Sequence, residues 1–159
     1  MKLEIELIPE GSWGKSLAQL LPKPVWDVVR REIYQRGNYT CAICESTGVR
    51  VHCHEVWEYN DKKRIQFLRG LQCLCGDCHS IKHWGRTVSE VHKGNLSPDY
   101  LTKLANHFCR VNNCSLSEFE LYKVKIGNTW LQRSRKDYKI DFGMWSPEIL
   151  VKRFKNGRK

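Results

Sequence analysis

Hydrophobic and polar positions alternate with a period of two in four places along this chain. Lys2-Leu-Glu-Ile-Glu-Leu-Ile8 alternates strictly and stops at Pro9-Glu-Gly11, which predicts a short N-terminal strand. Arg50 to Tyr59 alternates and is rich in Val, Trp and Tyr. Arg64 to Leu71 does the same, and the polar turn Asn60-Asp61-Lys62-Lys63 lies between them. Two such runs around a polar turn predict a β-hairpin. Tyr138 to Phe142 adds a further candidate strand, with the N-terminal strand as its candidate partner.

Elsewhere the apolar positions recur at helical spacing. Ser12 to Leu21 predicts a turn of helix, stopped by Pro22 and Pro24. From Pro24, the residues Val25, Trp26, Val29, Ile33 and Tyr34 form one stripe, and Gly37-Asn38 ends it. A helix beginning at Gly76 or Asp77 would carry His79 and His83, an i and i+4 pair, on one face, with Trp84-Gly85-Arg86 as its terminator. Thr87 to Asn95 is polar without a clear period and reads as a loop. Ser97 caps and Pro98 opens a helix whose buried side is Tyr100, Leu101, Leu104, Ala105 and Phe108. Ser115 or Ser117 caps the next, with Glu118 in its first turn; Trp130 and Leu131 continue it and Arg133-Ser-Arg-Lys136 ends it. Lys152-Arg153 through Lys159 reads as a mobile basic tail.

Composition sharpens this picture. The chain has 159 residues, of which 41% are hydrophobic, with six Trp, enough to bury a modest core. A net charge of +10 points to a polyanionic partner. No apolar run approaches the roughly 18 residues of a membrane span, and no secretory leader opens the sequence, so a cytoplasmic protein without a membrane partner is expected.

The eight cysteines carry the strongest chemical signal. Cys41-Ala-Ile-Cys44 and Cys75-Gly-Asp-Cys78 are two Cys-x-x-Cys pairs, each turning both sulfurs to one side, and together they can supply four thiolates to one tetrahedral zinc. Interleaved histidines favour metal in a reducing compartment over a secreted disulfide framework. Cys109 and Cys114 have no second pair of ligands nearby and read as core or loop thiols. The hairpin and helix between and after the pairs bring His52 and His54 on a strand toward His79 and His83 on a helix.

These residues resemble the HNH (ββα-metal) nuclease superfamily, in its zinc-stapled form found in small bacterial or phage proteins. In that form one Cys-x-x-Cys precedes the hairpin, matched by Cys41 and Cys44, and a second leads into the helix as Cys-x-x-Cys-His, matched by Cys75, Cys78 and His79. The resemblance covers roughly a quarter of the chain. It implies an α+β fold: a ββα-metal core at 41–86 with the four-cysteine zinc site, an N-terminal strand-and-helix extension at 1–40, and a helical C-terminal extension with a basic tail at 87–159. It further implies that His54 is the general base and that His79 holds the catalytic ion, with His83 as a second ligand. Two positions depart from the family. Cys53 stands where an Asp or His ligand usually precedes the base, and Gly70 stands near the place of the family's central Asn. Cys53 could bind a soft metal, or a twist of the strand could bring in His52 or Glu55.

The expected function is metal-dependent hydrolysis of phosphodiester bonds in nucleic acid, DNA first. It would need a structural zinc and a catalytic divalent ion (Mg, Mn, Ni, Co or Zn), with His54, His79, His83, His52 and Glu55 as candidate site residues. The alternative is an inactive zinc-stapled nucleic-acid-binding module, or a subunit of a larger nucleic-acid-targeting assembly with a protein partner.

Overall fold

The hairpin forms where the alternation puts it. In the computed structural model, which describes residues 1–157, β1 (Val51–Asn60) pairs antiparallel with β2 (Ile65–Cys75). The second strand is longer than its alternation suggested and runs directly into the second cysteine pair. A bulge interrupts the ladder: Val56 faces Gly70 but Trp57 faces Leu68, leaving Arg69 as the extra residue. Asp61 ties down the turn by accepting two hydrogen bonds from Arg133, at 2.9 and 3.0 Å, and one from Tyr138 Oη at 2.6 Å. The third strand, β3 (Lys139–Asp141), lies parallel to the start of β2, with Ile65 opposite Lys139. The order is β1-β2-β3, so β1 is an edge.

Helices surround this sheet: α1 (Leu17–Leu20), α2 (Lys23–Arg36), α3 (Gly76–Lys82), α4 (Trp84–His92), α5 (Pro98–Asn112), α6 (Leu116–Ser134) and α7 (Pro147–Asn156). The fold is α+β. Local chemistry sets most boundaries. Ser97 Oγ accepts from the Asp99 amide at 3.3 Å, and Ser115 forms a reciprocal capping box with Glu118 at the start of α6. Asn113, with φ of 51°, ends α5 in the left-handed conformation that Asn tolerates.

Two apolar clusters hold these elements. One gathers Leu3 and Ile5, Leu74, Ile81, Leu104, Phe108 and Phe119 around the base of the cysteine pairs. The other packs Leu17, Leu21, Val25 and Val29 against Leu68 and Leu150. Burying a side chain of this size contributes about 1.5–3 kcal/mol. Among the described residues no helix is long and apolar enough to cross a membrane.

Three sequence expectations are corrected. The N-terminal segment is extended and buries Leu3 and Ile5, but it joins no sheet. Its backbone is satisfied elsewhere: Leu3 N donates to Asn112 Oδ1, Ile5 N to Tyr122 Oη and Glu6 N to the Lys82 carbonyl. Consequently β3 finds its partner in β2 instead. Thr87–Asn95, read as a loop, is largely helix α4. Its apolar residues Trp84, Val88 and Val91 recur at i, i+4 and i+7, a period cut off when the stretch is read from Thr87, which is itself buried with Oγ1 donating to the Ser80 carbonyl at 2.9 Å. The helix carrying His79 does stop just before Trp84, at Lys82, but Trp84-Gly85-Arg86 then open α4, and the bare Cα of Gly85 lets Leu7 approach, since a Cβ there would sit 3.3 Å from Leu7 Cδ2. The basic tail is helix α7 as far as Asn156, where Leu150 is buried and Val151 and Phe154 pack beside it. Arg158 and Lys159 lie outside the described residues.

The end of α2 meets β2 closely at Gly37, where a Cβ would come within 2.9 Å of Cys73 Cβ. Gly37→Ala is therefore expected to destabilise the fold by about 1–3 kcal/mol, as overpacking does, read as a lower urea midpoint at unchanged slope.

Candidate metal centre and cavity

The four cysteines converge because each pair sits on a turn anchored to β2. Ala42 N donates to the Cys73 carbonyl at 2.8 Å, and Cys41 N donates to the Ser46 carbonyl. Glu45, at φ of 61°, closes the first turn. The second turn is the strand-to-helix junction itself: Cys75 ends β2 and caps α3, its Sγ accepting from the Cys78 amide at 3.4 Å. All four sulfurs lie within 4.8 Å of one another, and Cys41, Cys75 and Cys78 are buried. The Cys75 and Cys78 thiols donate to Cys41 and hold its pKa far below the usual thiol value, while Cys41 raises theirs in return. Four thiols this close, three of them buried, are suited to hold a metal ion such as zinc.

One neighbour of this cluster escaped the sequence reading. His107, buried on α5, places Nε2 3.2 Å from Cys78 Sγ, while Arg110 donates to its Nδ1 at 2.7 Å. The Arg110 bond leaves the Nε2 proton for the sulfur, which would neutralise part of a thiolate's charge. A histidine inside the apolar stripe between Leu104 and Phe108 was the available signal.

The predicted histidines meet on the opposite end of α3. His54, His79 and His83 bring their ligand-capable nitrogens within 4.8 Å of one another. His54 is almost fully buried, 2% exposed, and its two nitrogens have different partners: Nδ1 lies 3.2 Å from His83 Nε2, and Nε2 lies 2.7 Å from Glu6 Oε2. A carboxylate only accepts, so Nε2 carries the proton and Nδ1 turns its lone pair toward the helix histidines. Burial, then the charges of neighbouring histidines, lowers the His79 pKa to about 3; burial and His54 lower that of His83 to about 4. Both are neutral, hence lone-pair donors, at ordinary pH.

The remaining candidates take other places. His52 stacks on His79, with centroids 4.8 Å apart and an interplanar angle of 8°, and supports that ring without joining the trio. Alternation turns Cys53 and Glu55 to the other face of β1. Cys53 sits opposite Cys73, where burial pushes its thiol up to about 12. Glu55 accepts from the Leu17 amide at 2.7 Å and from Trp57 Nε1 at 3.2 Å, and burial pushes its carboxyl up to about 7. Neither belongs to the histidine group.

Glu6 is the functional residue that sequence reasoning missed. Its Oε1 accepts from the Trp57 amide at 3.0 Å, beside the bulge, while Oε2 holds His54. Nothing in the local pattern marks it, because its role depends on the extended segment running along the edge of β1. That segment also closes a cavity of about 810 Å³, whose wall includes His54, His79, His83 and Glu6.

Comparison with family models, with curated proteins and with solved structures finds no match for this chain.

Removing one sulfur tests the cysteine site. Metal binding to such sites is folding free energy, on the order of 10 kcal/mol. Cys78→Ser is expected to abolish tight zinc retention and cooperative melting together; metal analysis alongside calorimetry reads both.

Proposed function

We propose that this protein is a metal-dependent nuclease of the HNH (ββα-metal) kind, with a zinc held by Cys41, Cys44, Cys75 and Cys78. The observation that carries this reading is the convergence of a strand histidine, His54, with His79 of α3 and His83 of the α3–α4 junction, on the wall of a cavity. The hairpin-then-helix order supports it.

In this reading His79 and His83 hold a divalent ion. When bound, that ion polarises the phosphodiester and takes up negative charge on the leaving oxygen. Their imidazole donors suit Zn, Ni, Co or Mn better than Mg, which prefers oxygen. His54 is the general base, accepting a proton from water at Nδ1. Glu6 keeps the Nε2 proton in place and stabilises the imidazolium that results, as a carboxylate behind a catalytic imidazole does. Cys53, outside the histidine group, has no part in this chemistry. The basic surface attracts the polyanion.

A second reading, an inactive nucleic-acid-binding module, is favoured by one observation. With Cys53 turned away and Gly70 lacking a side chain, no oxygen ligand from the hairpin joins the histidine group. Activity separates the two. Intact protein should nick plasmid in the presence of Mn, Co, Ni or Zn. His54→Ala should keep fold and zinc but lose about 100-fold or more in rate. Absence of nicking with every ion favours the binding module.

Glu6→Gln retains a hydrogen-bonding group but lacks the charge that favours the imidazolium. Its rate should fall by about 10-fold or more, with DNA affinity unchanged. Affinity itself should drop steeply between about 0.05 and 0.2 M salt, because each neutralised phosphate releases counterions; retention on DNA across a salt gradient measures it.

A further inference from the structure

The cavity beside the three histidines has features that hydrolysis alone does not require. It encloses about 810 Å³, in the range of roughly 300–1,000 Å³ typical of sites that engulf a small molecule. Four of the six tryptophans line it: Trp13, Trp26, Trp57 and Trp130. Trp13 is 61% exposed although its indole is anchored, with Nε1 donating to the Ile8 carbonyl at 3.0 Å. An immobilised, solvent-facing indole is a stacking platform. Lys15, Arg86 and Lys93 contribute to the same cavity, and all three are exposed.

Gln66 supplies the deciding feature. It belongs to the wall, is 1% exposed, and its side-chain Oε1 has no hydrogen-bond partner in the protein. A buried acceptor without a donor costs stability unless something satisfies it. Every nucleobase carries an N–H donor on its Watson–Crick edge. In a duplex those donors are occupied by the opposite strand; on an unpaired base they are free.

We propose that this cavity receives one unpaired nucleotide, making single-stranded or locally unpaired nucleic acid the substrate class. The base enters the tryptophan-lined cavity and stacks on an indole, and a rotation of the buried Gln66 side chain presents its Oε1 to the Watson–Crick edge. The flanking phosphates lie toward Lys15, Arg86 and Lys93, and this places the backbone beside the histidines. Recognition is tolerant of sequence, because stacking and a single acceptor serve any base. The inference rests on the nuclease reading for the cutting step, though not for binding itself.

The test uses the intact protein without added divalent ion, so that binding is measured apart from cutting. Fluorescein-labelled strands of about 12 nucleotides, as DNA and as RNA, are compared by anisotropy with the matching duplex and with a duplex carrying one bulged nucleotide. At about 0.15 M salt, a single strand and the bulged duplex should bind about 10-fold or more tightly than the perfect duplex. Trp13→Ala should erase that preference and leave duplex binding unchanged; exposure of Trp13 makes this substitution compatible with folding. Gln66→Leu, of similar size, should also reduce the preference. Equal or tighter binding of the perfect duplex overturns the proposal, as does a uniform loss across all ligands in Trp13→Ala. The DNA and RNA arms identify which strand fits. Cleavage with added Mn is scored separately: cleavage without single-strand preference overturns this inference alone, and preference without cleavage overturns the nuclease reading alone.

Discussion

The four-sulfur cluster is the constraint on which the rest of the molecule depends. Cys75 is at once the last residue of β2 and the cap of α3, so the strand passes into the helix with no connecting loop. Its bonds to the opposing pair hold the helix axis at a set angle to the hairpin. With seven residues α3 is too short to be stable by itself. Held there, it carries His79, and His83 as the residue capping its C-terminal end, to His54; without the clamp, neither imidazole has a reason to stay near β1.

Much of this was legible because it is local. Two Cys-x-x-Cys pairs, alternation in the hairpin, and capping serines at Ser97 and Ser115 each signal structure within a few residues. The misreadings fall where tertiary partners decide. Residues 2–8 have the alternation of a strand, but their donors find a carboxamide, a tyrosine hydroxyl and a helix end before they find a neighbouring strand. Helix α4 has its period in Trp84, Val88 and Val91, but the first of these was read as the end of the preceding helix. Helix α7 was masked by its lysines and arginines, whose charges conceal the Leu150, Val151 and Phe154 stripe.

The candidate site divides the same way. Strand and helix periodicity alone brought His52, His54, His79 and His83 together, and the resemblance singled out His54 and His79 among them. That Cys53 lies on the far side of β1 accords with the same period of two, once the strand is known to be regular there. Glu6 could not be recognised, and His107 only as a histidine set in an apolar stripe, since each acts across more than twenty residues of sequence on a group whose position the fold alone determines. Both do a similar job: each uses a hydrogen bond to set the charge or orientation of a ligand-type side chain.

The extended N-terminal segment has a consequence for how the protein is made. It leaves the ribosome before the hairpin, yet its partners arrive late: Asn112 for Leu3, Tyr122 for Ile5, Trp130 for Ile8 and Ser134 for Glu10. The hairpin, the sulfur cluster and α3 can all assemble while the segment still hangs free. Glu6 itself meets His54, Trp57 and the Lys82 carbonyl, all made before α6, whereas the residues around it are fastened only once α5 and α6 exist. A nascent or truncated chain lacking α6 would hold its carboxylate beside His54 on a segment not yet fastened at Ile5, Ile8 and Glu10.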